Sequence, residues 1–596
     1  MTGHRTLLIV LLAWALLMIV PDLWRVVQPL GSFGFYTDND GLIYDVIGPF
    51  PDRTASPAWK AGLQEGARLD LSRLHCIPYD AVTCGNALAL LVLPYVVPGR
   101  KATVDFTAAN GEARKVTIVA AEEPANFLVR AVQVLDQIAG ILVVSAAAWL
   151  VWTRPGGMSW GFFLYVLWFN PGQSFYFYAL LQKWPLLLLA QYAAGCVAEG
   201  VGYAGLLLFV LRVPRDRTEA RWRSLERALP LVALVIALAL IATYGSVFGY
   251  RTEMGTRIAI LVGLVVALCA VVILMVRRRT QTPEDYQRVR WVIWGCLIGL
   301  PAFIIAELGQ ETTFFVTPWG DFTPPEDVLG LLYLVNGILC LFVFEAVRSQ
   351  RVVSVSIPLR RVTILGLTLS IPVLLLNQEV DRIQGHLHGW AWLIFGAIVL
   401  FLIARLHDIG VDLVDRYFNR ALDRAAMELG RAILRAEKPA EIDRLLADEP
   451  FRVLKLTSAA AFRRDGSVFS RDGNGNGWGS TETSTLRADE PILARLSKGA
   501  PFSLEDKDAG EVRLPSGLKR PILAVPAANP IHCFAIALYG PHASGADLDT
   551  YERALLARIA GDAAAVYAEL EINQLRSRIA TFERQVSTNG LRREPA

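Results

Sequence analysis

Residues 6–20 read TLLIVLLAWALLMIV, an apolar run without any charge that directly follows Arg5. Polar and mixed sequence then continues to about residue 133, and closely spaced apolar runs occupy the chain from there to about residue 406. The remainder, up to residue 596, is hydrophilic. Because apolar runs of this kind cross a bilayer as helices, the layout predicts a folded module between the first two spans, a large membrane body, and a second module after the last span.

The composition indicates a polytopic α-helical membrane protein. Of the 596 residues, 54% are hydrophobic and 19% are charged, whereas about a quarter of an average soluble chain is charged. The 15 Trp, 17 Tyr and 27 Phe residues can supply aromatic belts at both membrane surfaces. The net charge of +3 is too small to indicate a nucleic-acid partner. The partner that composition does predict is the lipid bilayer.

Ten candidate spans follow from the apolar runs. The first run ends without a small-x-small cleavage site, so we interpret residues 1–24 as an uncleaved span rather than a signal peptide. The membrane domain proper is predicted at 134–406. The spans lie at about 6–24, 134–153, 158–181, 185–211, 229–249, 257–277, 289–307, 326–347, 362–378 and 388–406.

The charges of the loops orient these spans. With ten spans, both chain ends face the same side of the membrane, and the short loops on that side hold most of the Lys and Arg residues of the short loops between spans. Positive loops mark the cytoplasmic side. The sequence therefore predicts a multi-pass protein of a bacterial inner (plasma) membrane, with both termini cytoplasmic and the first module outside.

Polar residues within the spans are candidate intramembrane ligand contacts. The third span is interrupted by Asn170-Pro-Gly-Gln173, and proline both removes a backbone donor and kinks a helix. Glu199 lies within the fourth span, and Glu307 lies at the outer end of the seventh. A carboxyl in the bilayer is costly and is expected to face other helices or a cavity. Asn170, Gln173, Glu199 and Glu307 are thus candidate contacts, and a packing role stays open for each.

The outer module, at 25–125, has the pattern of a β-rich domain. Asn110-Gly111 is a strong hairpin signal, and Ser56 followed by Pro57 suits the start of a helix. Cys76 and Cys84 lie eight residues apart and can form a disulfide in an oxidising compartment, which spacing alone does not decide. The predicted strands are 42–47, 102–107 and 113–119, and a further helix is predicted at about 85–93.

Two stretches of this module resemble a bacterial PDZ domain. They are the x-Φ-Gly-Φ loop Ser32-Phe33-Gly34-Phe35 and the pattern Ser-Pro-Ala-x-x-Ala-Gly-Leu-x-x-Gly-x-x-Leu at 56–69. The resemblance implies that Ser32, Phe33, Gly34 and Phe35 form a loop whose N–H groups bind the C-terminal carboxylate of a peptide or protein. After residue 69 the sequence departs from the family pattern. The alternative is a structural spacer that binds nothing.

The hydrophilic region after the last span begins with a predicted juxtamembrane helix at 407–424. A helix at about 421–447 is followed by a strand–turn–strand around Asp465-Gly466. Asp549-Thr-Tyr-Glu552 has the form of a capping box that starts a long final helix. Further elements are predicted as a short helix at 490–498 and strands at 521–526 and 533–540.

This order of elements resembles a GAF domain, the sensing module of many bacterial signalling proteins, at 425–562. The late hairpin Ile-Leu-Ala-Val-Pro then Phe-Ala-Ile-Ala-Leu-Tyr-Gly, and the helix that follows, carry the resemblance. The cyclic-nucleotide signature of the family and a chromophore cysteine are missing, so no cofactor and no metal are predicted. A dimerisation platform without a ligand is the alternative.

The final helix, at 563–590, carries apolar residues that alternate by three and four, as in a coiled coil. The pattern predicts a homodimer through this helix, and packing of the helix on its own module is the alternative. The residues in question are Ala565, Ala568, Ile572, Leu575, Ile579, Phe582 and Val586.

The whole plan resembles the input half of a multi-span membrane sensor histidine kinase, with an outer PDZ-like domain and a cytoplasmic GAF-like domain but without the kinase core. We therefore expect a receptor or signalling adaptor that relays an extracytoplasmic or membrane-borne signal to a histidine kinase or another output protein. No metalloprotease or serine-hydrolase constellation fits the spans, so no enzyme is predicted. The alternative is a membrane transporter or scaffold with a periplasmic peptide-binding module.

Overall fold

A computed structural model describes the chain as two compact units. The first holds residues up to 278 together with 289–348, and the second holds 281–288 and 390–590. The described residues are 2–26, 28–37, 41–46, 55–77, 79–91, 95–122, 127–172, 174–243, 254–278, 281–310, 316–317, 320–321, 326–348, 390–471, 475–479, 481–487, 490, 492–493, 500–504, 512–530 and 532–590.

The first unit is built from apolar helices. α1 is followed directly by a 3₁₀ segment, Val20–Val26. Pro230 in α8 and Pro301 in α10 lie inside helices, a position that lipid-embedded helices tolerate. The helices are α1 (Thr2–Ile19), α2 (Pro57–Lys60), α3 (Ala81–Leu91), α4 (Phe127–Thr153), α5 (Gly157–Trp168), α6 (Phe175–Leu181), α7 (Pro185–Arg212), α8 (Arg223–Thr243), α9 (Met254–Arg278), α10 (Pro283–Gln310) and α11 (Glu326–Arg348).

Among the described residues, seven helical segments are long and apolar enough to cross a membrane, so the protein has the helices of a multi-pass membrane protein. The predicted third span is two shorter helices, α5 and α6, because the Asn-Pro-Gly sequence interrupts it. The predicted span 362–378 lies outside the described residues. The seven segments are Gly3–Arg25, Val132–Thr153, Pro185–Arg212, Ala220–Ala242, Leu261–Arg278, Asp285–Ala306 and Gly330–Arg348.

Short antiparallel strand pairs form the outer module. The predicted hairpin is present: β5 and β6 pair in register from Lys101–Val119 to Thr107–Ala113. The second predicted helix, α3, begins four residues earlier than expected, because the Asp80 carboxylate accepts a hydrogen bond from Thr83 N at 2.8 Å and caps it. The strands are β1 (Gly31–Ser32), β2 (Phe35–Thr37), β3 (Ile43–Val46), β4 (Arg68–Leu69), β5 (Lys101–Thr107), β6 (Ala113–Val119) and β7 (Ala121–Glu122), ordered β1-β7, β2-β3 and β4-β5-β6. Two further strands, β8 (Val316–Thr317) and β9 (Gly320–Asp321), pair between α10 and α11.

One hydrophobic core joins the outer module to the membrane helices. Ile43 and Leu63 of the module are completely buried in the same cluster as Met18 of α1 and Leu188 of α7. Each fully buried aliphatic side chain contributes about 1.5–3 kcal/mol to folding. The outer module is therefore packed onto the membrane helices rather than tethered to them by a linker.

The second unit contains a long helix and an α/β module. α12 (Trp390–Leu434) joins the predicted last span and the juxtamembrane helix without interruption. The predicted helix at 421–447 is in fact divided, because α13 (Pro439–Val453) starts afresh at a proline, which disfavours helical conformation in the residue before it. The final helix is α14 (Thr550–Gly590).

A six-stranded antiparallel sheet lies at the centre of this module. The residues around Asp465-Gly466 form β10 and β11, and β14 pairs with β15, as the sequence predicts. One face of the sheet packs on α12, α13 and α14, with Ile433, Leu446 and Leu556 completely buried. Of the predicted short helix at 490–498, most residues lie outside the described part. The order is β12-β11-β10-β15-β14-β13, with β10 (Ala459–Asp465), β11 (Val468–Ser470), β12 (Thr485–Arg487), β13 (Phe502–Ser503), β14 (Leu523–Ala528) and β15 (Cys533–Tyr539).

Candidate functional site

The break between α5 and α6 is held by the side chain of Asn170. Its Oδ1 accepts a hydrogen bond from Gly172 N at 2.8 Å, and its Nδ2 donates to the carbonyls of Val166 and Leu167, both at 3.3 Å. Proline leaves backbone groups without helical partners, and Asn170 supplies partners for them. These hydrogen bonds stay within the break, so Asn170 stabilises the local backbone.

The first turn of α6 is capped from a different part of the chain. Asp22, in the 3₁₀ segment after α1, is buried, and its Oδ1 accepts a hydrogen bond from Tyr176 N at 3.0 Å. The backbone N–H groups of Phe175 and Phe177 also interact with this carboxylate. The N-terminal N–H groups of a helix have no partner within it and carry partial positive charge, so a carboxylate stabilises them. Asp22 thereby fixes the start of α6.

The outer module binds the other end of α6. Gln182 follows the last residue of α6, and its Oε1 accepts a hydrogen bond from Arg100 Nη1 at 2.8 Å. Its Nε2 donates to the carbonyl of Tyr95 at 3.1 Å, and Arg100 Nη2 donates to the carbonyl of Gly85 at 2.7 Å. Arg100 therefore bridges α3 of the outer module and the end of α6.

An aromatic contact adds to these polar ones. The guanidinium carbon of Arg25 lies 4.4 Å from the ring centre of Tyr95 and 5.4 Å from that of Phe175. The two rings are 5.0 Å apart. Cation–π contacts contribute about 0.5–2 kcal/mol, depending on exposure. Arg25 thus joins the first span, the outer module and α6 at one point.

The inner side of the break contacts α11. Tyr165 of α5 donates its hydroxyl to Asn336 Oδ1 at 3.2 Å, and Asn336 Nδ2 donates to the carbonyl of Phe169 at 3.0 Å. Asn336 and Tyr165 are each 1% exposed. A chain of contacts thus runs from the outer module through α6 and the break to α11, all within the first unit.

Residues 33–34 of the predicted carboxylate-binding loop are held by contacts with Ser56 and Ala58. Gly34 has φ +76°, Ser56 Oγ donates to its carbonyl at 3.2 Å, and Ala58 N donates to the carbonyl of Phe33 at 3.0 Å. The same Ser56 hydroxyl accepts from Trp59 N, so it caps α2 as the sequence predicts. Within the described part of the chain, the N–H groups of Phe33 and Gly34 have no hydrogen-bond acceptor. Ser32 belongs to β1, and Phe35 begins β2.

The structure joins Cys76 and Cys84 in a disulfide. Their Cα atoms are 4.3 Å apart, Cys76 precedes α3, and Cys84 lies in its first turn. Both cysteines are buried in the core that the outer module shares with the membrane helices. The bond therefore fixes the start of α3, the helix that Arg100 connects to α6.

Of the other predicted intramembrane contacts, only Glu199 has a side chain that the structure describes. Glu199 is half-buried in α7, and no hydrogen bond joins it to Asn170. Glu307 lies in the last part of α10, and nothing is described of its side chain, while Gln173 lies outside the described residues. The described residues therefore show no contact between Glu199 and Asn170, and the grouping of all four residues stays a prediction.

Sequence reasoning missed two buried acids in this region. Asp22 lies directly after the apolar run of the first span, and Asp136 lies inside the predicted second span. The signal that identified Glu199, an acid among apolar residues, applies equally to Asp136. For Asp22 the sequence carries no sign of a contact with α6, since the two are separated by 154 residues.

In the second unit, the buried acid Asp443 connects three elements. Its carboxylate pairs with Arg463 of β10 at 3.0 Å and accepts a hydrogen bond from the Tyr567 hydroxyl of α14. The side chain of Arg463 is partly exposed to solvent, whereas Asp443 is only 6% exposed. Asp443 thus links α13, the sheet and α14. Burial of the Tyr567 hydroxyl, together with the negative charge of Asp443 beside it, raises the pKa of Tyr567. Among the described residues, no three His, Cys, Asp or Glu side chains cluster in a way that could hold a metal ion.

Comparisons with known proteins give little beyond these observations. No protein-family model matches the chain, and no curated protein matches it. Among solved structures, the GAF domain of a phosphoenolpyruvate-protein phosphotransferase from Acinetobacter is similar over 26% of this chain and 96% of that domain, with 13% sequence identity and a TM-score of 0.22. The chain thus has apolar helices and a weak, partial likeness to a GAF domain.

Proposed function

We propose that this protein is a transmembrane receptor or signalling adaptor that relays a signal from outside the membrane to a separate output protein. The observation that carries the proposal is the attachment of α6 at both ends. Asp22 and Arg25 hold its start, and Arg100 and the Tyr95 carbonyl hold its end through Gln182. A seven-residue helix bound in this way moves with the outer module.

In this proposal, the break next to α6 transmits a movement of α6 to the neighbouring helices. A ligand shifts an equilibrium only if it binds one state better than the other. Ligand binding to the outer module would therefore favour one position of α6, and the break transfers that change to Phe169 and Asn336. The inner end of the relay is the GAF-like module with α14.

The loop at residues 32–35 is the proposed ligand contact of the outer module. Its resemblance to a PDZ loop and the two N–H groups described above favour the C-terminal carboxylate of a peptide or protein. The disulfide Cys76–Cys84 supports an extracytoplasmic position of this module, since disulfides persist in oxidising compartments. Exposed Trp24 and Trp184, at the ends of two apolar helices, suit the outer membrane surface.

We propose further that two copies pair through α14. Up to Tyr567 one apolar face of α14 is buried in the module, but Ile572, Leu575, Ile579 and Phe582 are 49–66% exposed on one face. With Ile572 at heptad position a, Glu571 and Arg578 occupy g positions, and Arg576 and Glu583 occupy e positions.

The charges favour a parallel pair. In a parallel, in-register coiled coil, each g residue faces the e residue of the next heptad of the partner. Glu571 would then face Arg576 of the partner subunit, and Arg578 would face Glu583 of the partner subunit. Both pairs are opposite in charge. Exchanging Arg578 and Glu583 should preserve the dimer, whereas Arg578→Glu alone should weaken it about threefold to tenfold, measured by analytical ultracentrifugation.

The relay is tested by hydrogen exchange on the full chain in lipid nanodiscs. The probe is a peptide library with free C-terminal carboxylates, and the same library with amidated ends is the control. Peptides that the protein retains should slow exchange in the outer module and alter exchange in α14. In Gln182→Ala, which releases the end of α6, the outer effect should remain and the α14 effect should be lost. Unchanged α14 exchange in the unmodified protein would contradict the relay.

The second reading is a transporter, and the broken helix in the membrane body is the observation that favours it, because transporters place substrate at such breaks. In that case proteoliposomes would accumulate a solute, and variants of the break would stop the accumulation without affecting α14. The local hydrogen bonding of Asn170 makes us prefer the receptor.

A further inference from the structure

A buried acid lies in the membrane body one turn away from the helix break. Asp136 of α4 is completely buried, with 0% of its surface exposed. Neither of its carboxylate oxygens has a hydrogen-bond partner among the described residues. A Cβ atom added to Gly330 of α11 would lie 3.2 Å from Asp136 Oδ2, so the carboxyl group faces the backbone of α11.

Among the side chains that the structure describes, none supplies a compensating positive charge to Asp136. α4 packs against α1, the 3₁₀ segment Val20–Val26, α5 and α11. Among their described side chains, none lies within hydrogen-bond or ion-pair distance of Asp136. The titratable or charged ones are His4, Arg5, Asp22, Arg25, Tyr165, Tyr333, Cys340, Glu345 and Arg348.

An ionised carboxylate in this place would be very unfavourable. Charge transfer into a low-dielectric interior costs several kcal/mol unless a partner compensates it, whereas a neutral carboxyl group costs far less. A metal cation would need several oxygen ligands. Besides the carboxylate, the adjacent Gln137 Oε1 is the unpartnered oxygen nearest along the chain, and the next residue of a helix faces a different direction. A proton needs no further ligand.

We propose that Asp136 is a proton-binding site of the membrane body, neutral in the packed state and ionised when the contact between α4 and α11 opens to water. The atoms balance simply: the proton leaves one carboxylate oxygen for water and returns from water. This inference goes beyond the proposed receptor function and does not depend on it.

Asp136 lies close enough to the break between α5 and α6 for its charge to affect the packing there. Asp136 and Gly140 lie four residues apart and therefore on one face of α4. A Cβ atom on Gly140 would lie 2.7 Å from Gly172 N and 3.1 Å from Asn170 Oδ1, so the break packs directly against this face. A charge on Asp136 draws water to the seam one turn away from Asn170. Protonation thus stabilises the packed form of the break.

Infrared spectroscopy of the full chain in nanodiscs tests the proposal. At neutral pH the unmodified protein should show the C=O band of a protonated carboxyl group that is missing in Asp136→Asn. The control, Asp105→Asn, removes a partly exposed acid that is paired with Lys115 at 3.7 Å and should leave the band in place. Raising the pH should remove the band in the unmodified protein.

Three results would overturn the proposal. The band could persist in Asp136→Asn, it could be missing from the unmodified protein at neutral pH, or it could vanish at constant pH when sodium replaces choline, which would assign the site to a metal ion. Thermal unfolding gives a second reading that does not depend on the band. The unmodified protein should lose stability as the pH rises, and Asp136→Asn, which has the shape of the neutral acid, should lose less.

Discussion

The helix α6 and the distal part of α14 are opposite cases of helix stabilisation. α6 has only seven residues, and partners from the same chain satisfy both of its ends. α14 has 41 residues, its first half is buried in the inner module, and its second half carries an apolar stripe that is half or more exposed. The contrast teaches that the contacts of α6 are made within one chain, whereas the distal part of α14 would find its contacts in the second copy proposed above.

The largest effect is expected in the distal part of α14, where the second copy would contact the apolar stripe. Replacing Leu575 and Ile579 together by Asp places charges in the proposed dimer seam and should abolish the dimer. The change lies beyond the buried half of α14, so the module itself should stay folded. Analytical ultracentrifugation of the purified protein measures the dimer.

The matched control for this pair is Asn573→Asp with Ser577→Asp, which adds the same two charges at heptad positions away from the seam. The control should remain dimeric. A monomeric control, or a Leu575/Ile579 variant that remains dimeric, would show that α14 does not form the dimer interface. The contrast between α6 and the distal part of α14 would then not hold.

The next largest effect is expected in the outer module, at Gly34. An added Cβ would overlap Cβ of Ser56 and lie 2.8 Å from its Oγ, and φ is +76°. Gly34→Ala should therefore destabilise the outer module by about 3 kcal/mol, from backbone strain and from the lost bracing of α2. Proteolysis of the outer module, or its thermal unfolding, measures the change.

Gly111→Ala separates the two causes. Gly111 has φ +85°, but nothing lies within 4 Å of an added Cβ, so only the backbone strain of about 1 kcal/mol remains. Equal effects of the two substitutions would mean that Ser56 gives way and that the loop is not braced.

A moderate effect is expected at Asp22. Asp22→Ala leaves the part-buried Tyr176 N–H without its acceptor, which should cost about 1–3 kcal/mol. Because each 1.4 kcal/mol is a factor of ten, amide exchange in residues 175–181 should accelerate roughly 5-fold to 100-fold. Asp22→Asn keeps an acceptor oxygen and should have a smaller effect. If exchange in α6 is the same in all three proteins, the cap does not hold the helix.

The sequence predicts most of the helices and strands but less of their contacts. Local signals succeed where the cause is local: Ser56 caps α2, Asn110-Gly111 turns the hairpin, and the Asp549–Glu552 capping box starts α14. The helix break is also local, since proline causes it. Asp22 and Arg100 were missed because their partners are distant in sequence. A carboxylate that caps another element has no pattern of its own.

The smallest effect concerns the start of α14, and it depends on pH. His542 Nδ1 lies 2.7 Å from the Leu454 carbonyl, and its Nε2 lies 3.0 Å from Glu552 Oε2. Both neighbours are acceptors, so only the doubly protonated ring donates to both. Burial lowers the pKa of His542, but the hydrogen bond and charge of Glu552 and the Leu454 carbonyl outweigh burial and raise this pKa above its ordinary value of 6.5.

The sign of the pH dependence follows from that direction. The folded module holds the proton more tightly than the unfolded chain, so the stabilisation is complete below the ordinary pKa of 6.5 and is lost as the pH rises through the higher folded value. The loss should be about 1 kcal/mol, the size of one hydrogen bond. Amide exchange in residues 550–567 should therefore be slower at mildly acidic pH, and His542→Gln should remove this dependence.

His532→Gln, at an exposed turn of the same sheet, is the control and should keep the dependence. Slower exchange at higher pH in the unmodified protein, after correction for intrinsic exchange, would mean that the neutral ring is the favoured form. In the expected case the start of α14 is held by a contact within its own chain, as α6 is. Only the distal apolar stripe of α14 then depends on a second copy. The two halves of α14 therefore differ in the same way as α6 and the distal part of α14.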